Sequence, residues 1–283
     1  MDEQNKIKKP FHEFLKNFYK RKIAVISLIF IILLLLVAVF QPVPHDINFA
    51  DYENLLAEPN STHWFGTDEY GRDMFSRIIA GTRLSLFVSL TSVFIGAFIG
   101  CIFGLVAGYY GGKIESLIMR SCDVMFSFPG LLLAIGIVAI IGPGLINVII
   151  AIAIYGIPSF TRIVRSATIS LKKQLYIEAS RSIGISDTRI LFVHIFPGTL
   201  PALIVTLTMR IGTAIISAAS LSFLGFGASP TKPDWGAMLS TGRDYIGLAP
   251  HMLFYPGLMI FLTVLAFNLL GDGLRDTLDP KLN

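Results

Sequence analysis

The stretch that decides the fold is residues 84–110, which reads LSLFVSLTSVFIGAFIGCIFGLVAGYY. It carries no charged side chain and is longer than the roughly 20 apolar residues that a helix needs to cross the hydrocarbon core of a bilayer. Gly96, Gly100, Gly104 and Gly108 recur at every fourth position, so they share one helix face. Because glycines let another backbone approach closely, we expect this span to pack against a second helix through that face.

Five further apolar runs accompany this span. The composition agrees with them: 53% of the 283 residues are hydrophobic, only 15% are charged and the mean hydropathy is +0.68, whereas soluble domains carry about 25% charged residues. The segment Gly142-Pro143-Gly144 separates two runs and predicts a tight turn, hence an antiparallel helical hairpin. The sequence predicts an all-α integral membrane protein with six transmembrane helices, at residues 23–40, 84–110, 124–141, 145–160, 200–226 and 252–270.

The lysines and arginines predict the orientation. With the N-terminus inside, seventeen of the 23 fall in inside loops and five in outside loops, and Arg210 is the remaining one. Such an excess marks the cytoplasmic side, so both termini are expected in the cytoplasm. The basic segment before residue 23 could also begin a signal peptide. The apolar run after it exceeds the usual length of about 7–15 residues and no small-residue cleavage pattern follows, so we interpret it as a retained anchor.

The chain lacks the motifs of catalysis and of cofactor binding. Its nearest approach to a phosphate-binding loop, residues 107–114, lacks the first glycine and the closing Ser/Thr. The five histidines are scattered, and Cys101 and Cys122 show neither metal-ligand spacing nor a disulfide pattern. We therefore expect a protein that is not an enzyme and that holds no cofactor, metal or nucleic acid of its own. Energy for active transport would come from a partner chain or from an ion gradient.

The long inside loop, residues 161–199, contains a segment that favours a helix at residues 173–183. Gly184 is expected to end that helix, and Ser186 to cap a second helix that begins near Asp187. The residues at positions 179, 180 and 182 have small side chains, so this surface of the helix has low relief and can sit in a groove of a partner. A short helix beneath the bilayer is what a moving soluble partner would need to grip. The alternative is a solvated amphipathic connector.

This loop resembles the EAA loop of ABC-type importer permeases. The resemblance rests on Glu178-Ala179-Ser180 with Gly184, followed by His194-Ile195-Phe196-Pro197. Ser180 stands where the family pattern has a second alanine, and His194 where it usually has an isoleucine. Further segments are similar to those of dipeptide and oligopeptide permeases, at residues 65–77, 224–227, 233–236 and 268–280.

The chain thus resembles the C-type permease subunit of the peptide/nickel importer family, which has the type I ABC importer fold. Residues 10–14, 197–198 and 209–213 look most like the glutathione-import member. The resemblance implies a bacterial cytoplasmic-membrane protein that works with a second homologous permease subunit, an extracytoplasmic substrate-binding protein and two ATP-binding subunits, which hold the ATP and magnesium. It assigns ATPase coupling to Glu178, Ala179, Ser180, Arg181 and Gly184. A secondary transporter or channel is the alternative.

The predicted organisation follows from these spans. The segments are a cytoplasmic basic N-terminus (1–22), a first anchor helix (23–40), an extracytoplasmic loop (41–82), a five-helix permease domain (83–272) and a cytoplasmic tail (273–283).

Two charged residues in or beside the spans, Arg210 and Asp123, each have a functional and a structural candidate role. Arg210 lies about ten residues into its span, near the bilayer midplane, where an unpaired charge is costly by at least about 2.5–3.5 kcal/mol. It must therefore face protein or water, either as a cation lining the pathway or in a salt bridge to a companion helix or subunit. Asp123 is expected to cap the third helix, and a gate at the inner mouth is the alternative.

Overall fold

A computed structural model describes residues 10–227 and 232–278, with side chains from residue 14 onward. The lysines before Pro10, and Asp279 and Pro280 of the C-terminal signature, lie outside the described residues. A π-helical segment, Ile190–Ile195, leads directly into the ninth helix. The helices are α1 (Pro10–Tyr19), α2 (Lys22–Phe40), α3 (Met74–Tyr110), α4 (Gly112–Phe126), α5 (Gly130–Ile141), α6 (Leu145–Lys172), α7 (Leu175–Ser182), α8 (Asp187–Arg189), α9 (Phe196–Phe223), α10 (Trp235–Asp244) and α11 (His251–Leu278).

Within the described residues, five helical segments are long and apolar enough to cross a membrane. They are α2, α3, α6, α11 and the stretch that begins at Asp187 and ends with α9. A sixth crossing is formed if α4 and α5 are counted together as one broken span. The expectation of an all-α membrane protein is confirmed.

The predicted straight helix over residues 124–141 is wrong. Helices α4 and α5 meet at an angle of 91°, and the break lies just before Pro129, which disfavours helical geometry at the residue preceding it. Helix α5 has 12 residues, about 18 Å at 1.5 Å per residue, and is shorter than the bilayer core. Asp123 therefore does not head a helix: it lies near the C-terminal end of α4 and pairs with Arg162 at 2.6 Å.

Several spans extend beyond their apolar runs. Helix α3 begins at Met74, so the boundary predicted at residue 83 falls inside a continuous helix. The carboxylate of Asp73 caps it by accepting a hydrogen bond from the Ser76 amide at 2.8 Å. Helix α6 continues to Lys172, which shortens the predicted inside loop, and α11 extends to Leu278, into the predicted tail.

Helices α3 and α6 run parallel and touch along their backbones. A Cβ atom added at Gly96 would lie 2.9 Å from the Ala153 carbonyl oxygen, and one at Gly104 would lie 2.8 Å from that of Thr161. Gly100 and Gly108 meet the carbonyls of the intervening turns of α6 in the same way, at 2.7 and 2.9 Å. The face of α3 that carries the four glycines therefore lies against α6.

The outer helices close the bundle. Helix α2 packs on α11, where a Cβ atom at Gly273 would come within 2.3 Å of the Ala24 Cβ, and Arg21 pairs with Asp276 at 2.6 Å. Helix α10, which the sequence reading did not foresee, packs against α9 and α11.

Candidate coupling site

Helix α7 holds the residues assigned to coupling and ends where the sequence predicted. Gly184 adopts a left-handed conformation with φ of +79°. The Gly184 amide donates to the Arg181 carbonyl at 2.9 Å, and the Ile185 amide donates to that of Ser180 at 3.1 Å. This pair of bonds forms a Schellman motif. Because no atom of the described residues lies within 4 Å of a Cβ at Gly184, the glycine serves the backbone conformation and not packing against that part of the chain.

One side of α7 is anchored and the other is open. Ile177 is fully buried and joins an apolar cluster with Leu105 of α3, Val164 of α6 and Ile190 of the π-helical segment. The cluster also buries Cys101, Tyr109, Leu191 and Ile195. On the opposite side, Glu178 and Ala179 are exposed. The apolar side chains of Leu175 and Ile183 are also exposed, at 80% and 77%. A helix with a fixed inner side and an apolar, acidic outer side can be held by a soluble partner.

Tyr109, which the sequence analysis missed, joins three helices to α7. Its hydroxyl donates to Asp187 Oδ1 at 2.5 Å, and the Arg181 guanidinium lies 4.9 Å from its ring centroid. The ammonium of Lys172, at the end of α6, bonds to the Tyr109 carbonyl oxygen. Tyr109 therefore connects α7 and α8 to the C-terminal ends of α3 and α6. The aromatic pair Tyr109-Tyr110 at the end of an apolar run was the only signal in the sequence.

Ser180 is the last of the residues assigned to coupling, and the segment after α7 contains Ser186 and His194. Ser180 is 8% exposed, and its hydroxyl donates to the Tyr176 carbonyl at 2.8 Å. Ser186 lies at the cap position of α8, but its side chain makes no capping bond. The π-helical segment that follows contains His194, whose buried Nε2 has no hydrogen-bond partner among the described residues. Irregular helical turns of this kind are frequent at functional sites.

Arg210 lies in α9, away from α7, beside a narrow cleft that Tyr155 and Thr213 also line. No carboxylate of the described residues forms an ion pair with it, so a salt bridge to a companion helix of this chain is not observed there. The Tyr155 hydroxyl and the Ser217 hydroxyl lie 2.7 Å apart. The structure thus separates the predicted residues into the glycine seam between α3 and α6, the α7 joint (α7 with the residues packed against Ile177 and Tyr109) and Arg210, which lies away from both.

The outer segment at residues 65–77 forms a buried charge network. The Asp68 carboxylate accepts from Arg72 Nε at 2.7 Å and lies 3.3 Å from Arg77 Nε. Burial and the neighbouring Asp68 charge raise the pKa of the Glu69 carboxyl. The His251 ring bonds to the Thr67 carbonyl at 3.0 Å, which ties the segment to the start of α11.

The loop before α10 is anchored in the same manner. Trp235 is fully buried, and its Nε1 donates to the Ile78 carbonyl of α3 at 3.1 Å. The Asp234 carboxylate accepts from Ser85 at 3.1 Å and from the Gly236 amide at 3.4 Å. Burial raises the pKa of the Asp234 carboxyl, although these bonds favour its ionised form. The motifs at residues 65–77 and 233–236 therefore brace their loops onto α3 and α11.

Comparisons with known proteins agree with this architecture. Residues 100–283 match the family described as the binding-protein-dependent transport system inner membrane component. Residues 9–59 match the N-terminal TM domain of oligopeptide transport permease C. The chain is 55% identical over 281 residues to the glutathione transport system permease protein GsiD of Escherichia coli O157:H7 and to that of Shigella boydii serotype 4, covering 98% of this chain and 93% of each relative.

Two solved structures share the fold. An inward-facing MetNI methionine ABC transporter aligns with a TM-score of 0.59 and 20% identity, over 73% of this chain and 98% of that one. An amino acid ABC transporter with histidines aligns with a TM-score of 0.52 and 20% identity, over 71% and 94%. The chain therefore belongs to the family of binding-protein-dependent transport system inner membrane components, the permease subunits of ATP-driven importers.

Proposed function

We propose that this permease imports glutathione or short peptides and forms one half of the translocation pathway. The curated relatives are named for glutathione transport, align over nearly the whole chain and share more than half of its residues. Glutathione is itself a small anionic peptide, so a pathway built for it and one built for short peptides need similar polar groups.

The observation that carries the proposal is the two-sided geometry of α7. Its outer side offers Glu178 and Ala179 to a partner, while Ile177 and the contacts of Arg181 with Tyr109 hold it to the bundle. Closure of an ATPase pair beneath the membrane would push α7, and the cluster would pass the movement to α3, α6 and α9. Rigid helices then tilt and switch the pathway between outward and inward access.

The proposed assembly contains a second homologous permease, two ATP-binding subunits and an extracytoplasmic substrate-binding protein. ATP and magnesium belong to the ATP-binding subunits, and this chain has no catalytic role. Both termini and α7 lie in the cytoplasm of a bacterial cell, because the loops on that side carry most of the lysines and arginines. The braced outer segments then face the substrate-binding protein.

Arg210 is proposed to line the pathway and to attract a substrate carboxylate. It belongs to a polar stripe whose members are separated by four and three residues and therefore share one face of α9. Each hydroxyl group of the stripe bonds to the backbone of α9 itself, and that of Ser217 also lies 2.7 Å from the Tyr155 hydroxyl of α6, so polar groups of both helices border the cleft beside Arg210. The stripe consists of Thr206, Arg210, Thr213, Ser217 and Ser220, all of them at least partly exposed.

Substitution at Arg210 separates this role from a purely structural one. Arg210→Ala should reduce uptake of glutathione and acidic peptides more than uptake of neutral peptides, and Arg210→Lys should restore part of the difference. An equal loss for every substrate would mean that Arg210 pairs with another subunit.

Uptake of radiolabelled glutathione into membrane vesicles that contain the complete transporter tests the function itself. We expect ATP-dependent uptake that unlabelled glutathione or dipeptides reduce and that nickel does not. Uptake that persists in this chain alone, without an ATP-hydrolysing partner, would contradict the proposal. Gly184→Trp should leave membrane insertion intact and abolish ATPase stimulation and uptake.

A further inference from the structure

The outer loop brings together two histidines and an aspartate that are far apart in the sequence. His45, His63 and Asp73 each offer one ligand atom, and these three atoms lie within 4.8 Å of one another. The ring centroids of the two histidines are 5.2 Å apart. Since His45 lies close to the end of α2 and Asp73 immediately precedes α3, the group joins both ends of the loop.

Each histidine ring is held by a group that can only accept a hydrogen bond. His45 Nε2 lies 3.1 Å from the Thr62 carbonyl oxygen, so Nε2 carries the proton and Nδ1 keeps a free lone pair. His63 Nδ1 lies 2.9 Å from Asp73 Oδ1. The Thr62 carbonyl thus orients His45 through the ring nitrogen that does not bind the ion, as in known metal sites, whereas His63 Nδ1 and Asp73 Oδ1 face each other as two ligand atoms of one ion would.

Asp73 is a buried and immobilised carboxylate. Its side chain is 2% exposed and that of His63 is 14% exposed, so neither belongs to an ordinary solvated surface. The Ser76 amide fixes Asp73 Oδ2 at 2.8 Å, and the Ser76 hydroxyl accepts from the His45 amide at 3.2 Å. The ligand atoms are thus positioned by the start of α3 before any ion arrives.

We infer that His45, His63 and Asp73 form a binding site for a divalent transition metal of the Zn²⁺ type. Two imidazoles and one carboxylate form a ligand set that suits Zn²⁺, with water in a fourth position, whereas Ca²⁺ and Mg²⁺ prefer oxygen ligands alone. The ion takes the place of the proton shared between His63 and Asp73. The bound ion ties the irregular loop between α2 and α3 to the first turn of α3, and it is a fixed ion and not cargo.

Metal titration of the full-length protein tests this site. The protein is purified in detergent with its copurifying subunits, stripped with EDTA and titrated with Zn²⁺ against a chromogenic chelator. His63→Gln and Asp73→Asn should each weaken Zn²⁺ binding by at least about tenfold. Asn can still cap α3, so the aspartate variant keeps the helix start. Asp46→Asn removes an exposed acid of the same loop and should leave the affinity unchanged.

Two further readouts make the test decisive. Co²⁺ should give the absorption bands of a four-coordinate site in the unsubstituted protein and lose them in His63→Gln. Zn²⁺ should slow proteolysis within residues 46–62 of the unsubstituted protein and of Asp46→Asn, but not of His63→Gln. Equal Zn²⁺ affinity in the unsubstituted protein and in His63→Gln would overturn the site, as would an equal loss in Asp46→Asn.

Discussion

The seam between α3 and α6, where the backbones of the two helices touch, differs in burial from the partly exposed face of α9. In the most apolar stretches of α3 and α6, 50% of the residues are buried, compared with 22% for the segment that contains α9. Four glycines of α3 bring α3 and α6 into backbone contact. Helix α9 instead follows a π-helical segment and presents a partly exposed polar stripe, which α6 contacts through the hydroxyl pair of Tyr155 and Ser217.

This difference in packing suggests different roles for the α3–α6 pair and for the polar face of α9. A backbone-to-backbone seam has no side chains that can rearrange, so we expect α3 and α6 to move as one unit. In the proposed assembly, the partly exposed polar face of α9 meets the second permease, water or substrate. The α7 joint touches both regions, because Tyr109 is on α3 and Ile190 continues into α9.

The largest effect is expected from a side chain inserted into the seam. Gly104→Leu places a Cβ 2.7 Å from that of Val164, and overpacking of this kind costs about 1–3 kcal/mol or more. We expect a much lower yield of monodisperse protein and a lower unfolding temperature in detergent, as measured by size-exclusion chromatography after heating.

Gly136→Leu is the matched control for this change. Gly136 is an exposed glycine of α5, and no atom in residues 10–227 and 232–278 lies within 4 Å of an added Cβ. The control should behave as the unsubstituted protein does. Equal losses for both variants would mean that the glycine seam has no special role.

A smaller effect is expected from strain at the joint. Gly184→Ala forces an L-residue into φ of +79°, at about 1–2 kcal/mol, and should reduce substrate-stimulated ATPase activity several-fold with little loss of protein. Gly225→Ala carries similar strain, at φ of +87°, in the outer loop after α9. If both variants lost stimulation equally, the effect would be general instability and not coupling.

Removal of one hydroxyl tests the link between the joint and the seam. Tyr109→Phe deletes the bond to Asp187, which is worth about 1.5–3 kcal/mol because its acceptor is charged. Part of this is regained because Asp187 is exposed to water. We therefore expect a two- to fivefold loss of ATP-driven uptake. Tyr110→Phe, on the neighbouring exposed ring, should change uptake little, and a larger effect there would contradict the role given to Tyr109.

The smallest effect is expected at the broken span. Asp123 and Arg162 are both about half exposed, and pairs of this kind contribute about 0–1 kcal/mol. Asp123→Asn should leave the unfolding temperature nearly unchanged in a thermal melt. A drop comparable to that of Gly104→Leu would show that the pair holds α4 against α6 more firmly than its exposure indicates.

Much of the bundle could be predicted because it follows from local patterns. Charge-free runs identify spans, four-residue glycine spacing identifies a close helix contact, and Gly184 after a helix-favouring segment identifies a stop. The bend before Pro129 also had a local signal, but the apolar residues on both sides of it favoured one continuous span.

The parts that could not be predicted depend on contacts between distant residues. The first turns of α3 contain Arg77, which looks like a loop residue until Asp68 is seen to neutralise it. Tyr109 gains its role only when α7 folds beneath it. The histidines at 45 and 63 looked scattered, because only the folded loop brings them to Asp73.

Photo-crosslinking at α7 tests the central claim most directly. The photoreactive residue p-benzoylphenylalanine is placed at Glu178, which is exposed on the outer side of α7, and at Leu33, which is 55% exposed on α2. Irradiation of the assembled transporter should join position 178 to an ATP-binding subunit, and position 33 should give no such product. Absence of that product at position 178, in a complex that still imports substrate, would contradict the account.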